Sequence, residues 1–149
     1  MNKHFEHLRI IRNHYDRYLS ELSLEQLNRI PDGFGNNIIW NIGHALVTQQ
    51  LLVYALSGNK MAFEDDFINT FRKGSKAGEV SRETVDFIKA NLFTTIDQAE
   101  KDFAAGLFQK YKEYSTSFGL TLKDIEDAII FNNIHEGVHL GYVMALVRV

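Results

Sequence analysis

A chain of 149 residues with 45% hydrophobic, 23% charged and 12% aromatic content suits one folded domain and excludes a disordered tail or low-complexity linker. It contains no cysteine, which excludes disulfides, zinc ribbons and thiol nucleophiles and leaves histidine and carboxylates as metal ligands. With 16 Lys and Arg against 19 Asp and Glu, the formal charge of −3 gives a phosphate backbone little reason to bind, so no nucleic-acid partner is expected.

Residues 1–19 alternate charges with apolar side chains and lack a signal peptide's uninterrupted apolar region, which predicts a cytoplasmic protein. The first helix is predicted over residues 3–22, with Phe5, Leu8, Ile11, Tyr15, Leu19 and Leu22 on one face and charges on the other. His4, His7 and His14 fall on the polar side and are read as solvent-facing. Pro31-Asp32-Gly33 marks a turn, and a second helix runs from a cap at Asn37 to a stop at Ser57-Gly58-Asn59.

No charged residue occurs from residue 33 to residue 59, yet Asn41, His44, Thr48, Gln49 and Gln50 interrupt the stretch too often for a membrane span. Such a helix is instead buried on most sides, as at the centre of a bundle. Residues 60–80 form a long connection with one short helical turn at residues 65–71. The basic segment Arg72-Lys73-Gly74-Ser75-Lys76 in that connection reads as a solvated loop or as an attractor for an acidic cofactor.

Ser81 caps a third, outer helix with the stripe Val85, Ile88, Leu92, Ile96, Ala99 and Phe103. After an irregular segment over residues 106–119, Thr121 with Asp124 reads as a capping box with Asp in place of Glu. The fourth helix follows and reaches nearly to residue 149; between residues 129 and 147 its only charge is Glu136. The expectation is an all-α single domain over residues 1–149, a four-helix bundle with a long crossover connection between helices two and three.

The interior stripe of the fourth helix reads Ile125, Ala128/Ile129, Asn132, His135, His139, Tyr142/Val143 and Leu146, so two histidines stand where core aliphatics belong. Buried imidazoles are costly unless they are paired or bind something, and residues four apart lie one above the other on a helix face. With 6 histidines in the chain, roughly 0.2 such pairs arise by chance, and ~0.02 with Glu after the first His.

His135-Glu136-Gly137-Val138-His139 satisfies the H-E-x-x-H pattern of zinc proteases. The third ligand of the common protease classes lies downstream, however, and residues 140–149 hold no His, Asp or Glu. A third ligand has to come from upstream, and His44, in the row Trp40, His44, Thr48, Leu51, is the candidate. The other reading of His44 is a core histidine bonded to a carbonyl or to Asn41 or Gln49. Glu136 is the candidate general base; its alternative roles are orienting an imidazole or an interhelix salt bridge. Trp40 and Tyr142 are candidate pocket walls or plain core, and Asn132 a candidate hydrogen-bond donor to a ligand.

Asn37-Ile38-Ile39-Trp40-Asn41-Ile42-Gly43-His44-Ala45, followed by Gln49-Gln50 and Ser57-Gly58, resembles the second-helix signature of the DinB-like superfamily, which includes YfiT-type metal-dependent hydrolases. Phe131-Asn132-Asn133-Ile134-His135-Glu136-Gly137-Val138-His139-Leu140-Gly141-Tyr142 resembles that family's last-helix motif. The resemblance implies a four-helix bundle in which His44, His135 and His139 hold a divalent metal, often nickel or zinc, commonly in a homodimer. A subset of the family are thiol S-transferases that use bacillithiol, mycothiol or related low-molecular-weight thiols.

Three neutral imidazoles leave a coordination position open, as in catalytic zinc sites. The expected function is therefore a small metalloenzyme, a metal-dependent hydrolase or thiol S-transferase with a small-molecule substrate. The alternative is a non-catalytic metal-binding or structural bundle, in which an aliphatic side chain plugs the open position. Apolar surplus near the C-terminus (Leu140, Val143, Met144, Leu146 and Val147) is a second reason to expect a homodimer, independent of the resemblance.

Overall fold

The computed structural model describes residues 1–149 and is mostly helical. Six helices follow one another in the chain: α1 (Asn2–Glu21), α2 (Leu24–Asn28), α3 (Ile38–Gln50), α4 (Asp65–Phe71), α5 (Arg82–Ala104) and α6 (Ile125–Leu146). α1 packs along both α5 and α6, while α3 lies against α6 and α5 and carries α4 on its flank. The core is formed where these faces meet, around Tyr15, Leu19, Ile39, Ile42, Leu46, Ile88 and Leu92. A second cluster toward the other end joins Phe5, Leu8, Val53, Ile96 and Ile129.

The helix starts follow from side-chain chemistry. Asn37 accepts the Trp40 backbone N–H and Ser81 accepts that of Thr84, each satisfying a donor that an open helix end would otherwise leave unpaired. The short α2, which apolar periodicity could not reveal, is opened by a capping box between Ser23 and Gln26. α4 coincides with the helical turn predicted for residues 65–71. At its C-terminal end α3 widens into a π-helical turn, Leu51–Ala55, before Ser57.

The start of the last helix differs from the expectation. Thr121-Leu122 is a strand, β2, paired antiparallel with β1, Tyr114–Ser115, so the backbone of Thr121 is committed to a hairpin. Gly119 closes the hairpin turn at φ 80°, a conformation open to glycine. The cap therefore falls to Asp124, whose side chain accepts the Asp127 N–H.

The charged face of α1 is also not wholly outward. Arg12 is fully buried, in the row Leu8, Arg12, Tyr15, Leu19. All five of its guanidinium N–H groups have acceptors: the two Glu136 carboxylate oxygens at 3.0 and 2.7 Å, the Leu92 carbonyl and Thr95 Oγ1 at 2.7 Å each, and Gln49 Oε1 at 2.9 Å. One side chain of α1 thereby ties together α3, α5 and α6. Asn132 Nδ2 donates to Glu136 Oε1 at 3.0 Å and the Tyr15 hydroxyl to the Glu136 carbonyl at 2.8 Å, completing the network. A buried ion pair is tolerable under this condition, with every guanidinium proton and both carboxylate oxygens matched; the one buried atom of the network without a partner is Asn132 Oδ1.

Candidate metal centre

His44 on α3 and His135 and His139 on α6 meet where those two helices face each other, with one ring nitrogen from each lying within 4.8 Å of the other two. His44 is buried and the α6 pair half-buried. His44 Nε2 and His135 Nε2 stand 3.2 Å apart. Two imidazole nitrogens about 2.0–2.1 Å from one shared ion stand about 3–3.4 Å apart, so the spacing fits a metal.

The tautomers follow from the partners. His44 Nδ1 lies 2.7 Å from the Phe71 carbonyl, which can only accept, so the proton of His44 sits on Nδ1 and Nε2 presents its lone pair. His139 Nδ1 lies 2.8 Å from Asn41 Oδ1; the amide of Asn41 already donates to Asn36 Oδ1 and to the Asn37 carbonyl, so His139 is the donor here too. Both rings aim a bare Nε2 inward, the arrangement that outer hydrogen bonds impose on metal-ligating histidines. His135 Nδ1 is buried without a partner. Trp40 stacks on His44, with centroids 4.6 Å apart and planes 8° from parallel, and fixes the plane of that ring. A carbonyl partner for His44 was among the sequence readings, but nothing in the sequence marked it as that of Phe71, and Asn41, one turn before His44, serves His139 instead.

Burial, reinforced by the His139 and His44 rings, pushes His135 down to about 3, and burial with the His44 ring holds His139 at about 4. His44 is also lowered by burial, with the Phe71 carbonyl opposing and the Lys73 charge adding to the effect. All three are neutral near pH 7, the form in which imidazole binds metal. In the unfolded chain histidine titrates near 6.5, so below that value the unfolded state takes up protons that the metal-free fold refuses. Stability is then complete above about pH 6.5 and falls as the pH drops toward about 4, by about 1.4 kcal/mol per pH unit for each imidazole charged only when unfolded. Urea titrations of the metal-free protein across this range check the slope, and His135→Leu is expected to make it shallower.

The approach of α4 to α3 depends on Gly43. A Cβ there would stand 2.5 Å from the Phe71 ring, which is buried and cannot swing away. Gly43→Ala is expected to destabilise the fold by about 1–3 kcal/mol. It should also displace the Phe71 carbonyl from His44 and weaken zinc binding about 10–100-fold, measured by competition with a chromogenic chelator.

Glu136 is not brought to the histidines. Adjacent residues on a helix point about 100° apart. While His135 turns toward α3, the Glu136 carboxylate turns toward Arg12, is completely buried and stays outside the histidine group. Asn132 likewise serves Glu136, and Tyr142 packs edge-on against Phe34. His4 and His14 are half-buried and His7 exposed, all apart from the site.

The family model of the DinB superfamily matches residues 7–143. The chain belongs to the DinB superfamily. No curated protein matches it in sequence. In this DinB-superfamily chain His44 and His135 also line an open cavity of about 370 Å³, walled by Leu51, Leu52, Ala55 and Leu56 from the π-helical end of α3, by Phe131, and by Phe118 of the hairpin. A volume of this order is that of a small-molecule site. Polar groups reach it from Thr48, Thr116 and Ser117, and charged ones from Arg72 and Lys73. No helix is long and apolar enough to cross a membrane.

Proposed function

We propose that this DinB-superfamily protein is a small metalloenzyme, a metal-dependent hydrolase or thiol S-transferase, that acts on small molecules through a divalent ion, zinc or nickel, held by His44, His135 and His139. The observation that carries the reading is that the imidazole cluster opens onto a cavity instead of being closed over by aliphatic side chains, as a purely structural site would be. When bound, such an ion supplies Lewis acidity that acidifies a coordinating water or thiol. The chain's own residues orient the ligands through Phe71 and Asn41, keep them unprotonated by burial, and exclude water along the apolar wall.

Of the two reactions, thiol transfer with a low-molecular-weight thiol is the better supported. No Asp or Glu lines the cavity, and the Glu136 carboxylate is spent on Arg12, so a carboxylate base for hydrolysis has no place in it. A cytoplasmic setting, where thiols stay reduced, suits that chemistry. In this reading the four long helices act as a four-helix bundle, with the connection between α3 and α5 as its crossover. The deciding experiment is metal analysis of protein purified without an affinity tag, followed by a screen of thiol–electrophile pairs and of activated esters and amides. Protein that takes up zinc or nickel yet turns over neither class is a binding bundle and not an enzyme.

The same reading takes the protein as a homodimer, through a surface that keeps Met144 and Val147 of the C-terminal residues expected from the sequence, 40% and 38% exposed, but not all of them. Val143 and Leu146 are buried in the protein's own core. Ile130, Ile134 and Val138, spaced four apart on α6, are instead 38%, 50% and 50% exposed, and the neighbouring Gly137 and Gly141 leave open space for a close approach. Sedimentation at micromolar concentration is expected to give a dimer, and Ile134→Glu a monomer; a monomeric wild type overturns the proposal.

A further inference from the structure

We propose that Arg72 and Lys73 form an anion-binding edge of the histidine cavity, so that the substrate or co-substrate is a small molecule with a carboxylate or phosphoryl group on an apolar body. The inference rests on the cavity being the ligand site proposed above and names the chemical class it takes.

The two cations are placed by the same residues that build the metal centre. The Phe71 carbonyl, immediately before Arg72, accepts the His44 Nδ1–H at 2.7 Å. Just beyond Lys73, Ser75 Oγ accepts the Trp40 indole N–H at 2.9 Å and donates to the Arg72 carbonyl at 2.7 Å. The Ser75 N–H closes the turn on that same carbonyl at 3.0 Å, with Gly74 at φ 86°. The Arg72–Lys73 pair is thus pinned at both ends to α3, by His44 and by the tryptophan stacked on it. A loop serving only to be solvated has no need of that anchoring.

Neither cation is neutralised. The ion pairs of the molecule are those of Arg9 with Asp97 and Glu100, Arg12 with Glu136, and Lys89 with Asp16, and no carboxylate faces the cavity. A concave site with low-dielectric walls and charge of one sign focuses its potential and draws in the opposite charge. The remaining wall is aliphatic and aromatic, from Leu51, Leu52, Leu56 and Phe131, which suits an apolar body. The hydroxyl of Ser117 adds a hydrogen-bond donor that an anionic oxygen can use, whereas that of Thr116 is spent on the Leu120 carbonyl at 2.9 Å.

The test measures binding and not turnover, on the full chain in zinc-loaded and metal-free forms. The probes are 4-phenylbutyrate, phenylphosphonate and the uncharged 4-phenylbutyramide, followed by calorimetry and by amide chemical shifts. Both anions are expected to bind more tightly than the amide in both forms. The double variant R72Q/K73Q, altered at two exposed positions, should weaken the anions about tenfold and leave the amide unchanged. Anions that bind no better than the amide, or equally well to R72Q/K73Q, overturn the proposal. Zinc content, measured on the same samples, separates the two readings. Stoichiometric zinc with an anion preference indifferent to Arg72 and Lys73 sinks this inference alone. Failure to take up zinc, with the anion preference intact and dependent on both cations, sinks the metal reading alone.

Discussion

Arg12→Ala is expected to lower the unfolding free energy by about 3–5 kcal/mol, the usual cost of leaving one member of a buried ion pair alone. For a domain of this size that is a drop of about 6–20 °C in Tm. The reason lies in the acceptors left behind. The Glu136 carboxylate, the Gln49 amide oxygen, Thr95 Oγ1 and the Leu92 carbonyl all lose a donor at a point that water does not reach. Glu136→Gln keeps the volume but leaves the guanidinium without a counter-charge, and a destabilisation of the same order is expected. Replacing both, as in Arg12→Met with Glu136→Leu, should recover the part of the loss that comes from an unpaired charge, because both charges disappear together, while Gln49 Oε1, Thr95 Oγ1 and the Leu92 carbonyl still lack the guanidinium. Urea denaturation of the wild type, Arg12→Met, Glu136→Leu and the variant carrying both forms a double-mutant cycle, and additivity of the two single losses would overturn this account.

The same Glu136→Gln protein tests the candidate general base. Since the carboxylate points at Arg12, activity per folded molecule and metal content are expected to stay close to wild type below the new Tm. A loss of about 10²–10⁴-fold with metal retained, the range of general base catalysis, would restore Glu136 as the base.

His139→Ala is expected to abolish stoichiometric zinc binding, since two imidazoles seldom hold a divalent ion firmly. The fall in affinity should exceed the ~10–100-fold expected for Asn41→Ala, which removes the acceptor that orients the ring, together with the amide's bonds to Asn36 and Asn37, but no metal ligand. Linkage gives an independent readout. Zinc at about 100 times its Kd should stabilise the wild type by about 2.7 kcal/mol and leave His139→Ala unmoved in a thermal shift. Wild-type zinc affinity in His139→Ala would remove His139 from the ligand set.

The sequence by itself determined the helical class, most helix boundaries and the three histidines as a group. Apolar spacing, caps at Asn37 and Ser81 and an i, i+4 histidine pair are local signals that tertiary packing had no cause to override. Even the place of the short α4 was readable.

What only the tertiary structure decided is which neighbour each polar group meets. Arg12 lies in the apolar row of α1, and its partner Glu136 is 124 residues away, a separation at which no spacing rule operates. The side of α6 that Glu136 faces was open to either reading until α1 supplied a cation. The orienting carbonyl of Phe71 and the pinning of Arg72 and Lys73 arise because Gly43 lets α4 settle directly on α3. Periodicity tells a residue whether it points inward. It carries no information about which element waits there, because that choice is made by packing all the helices at once.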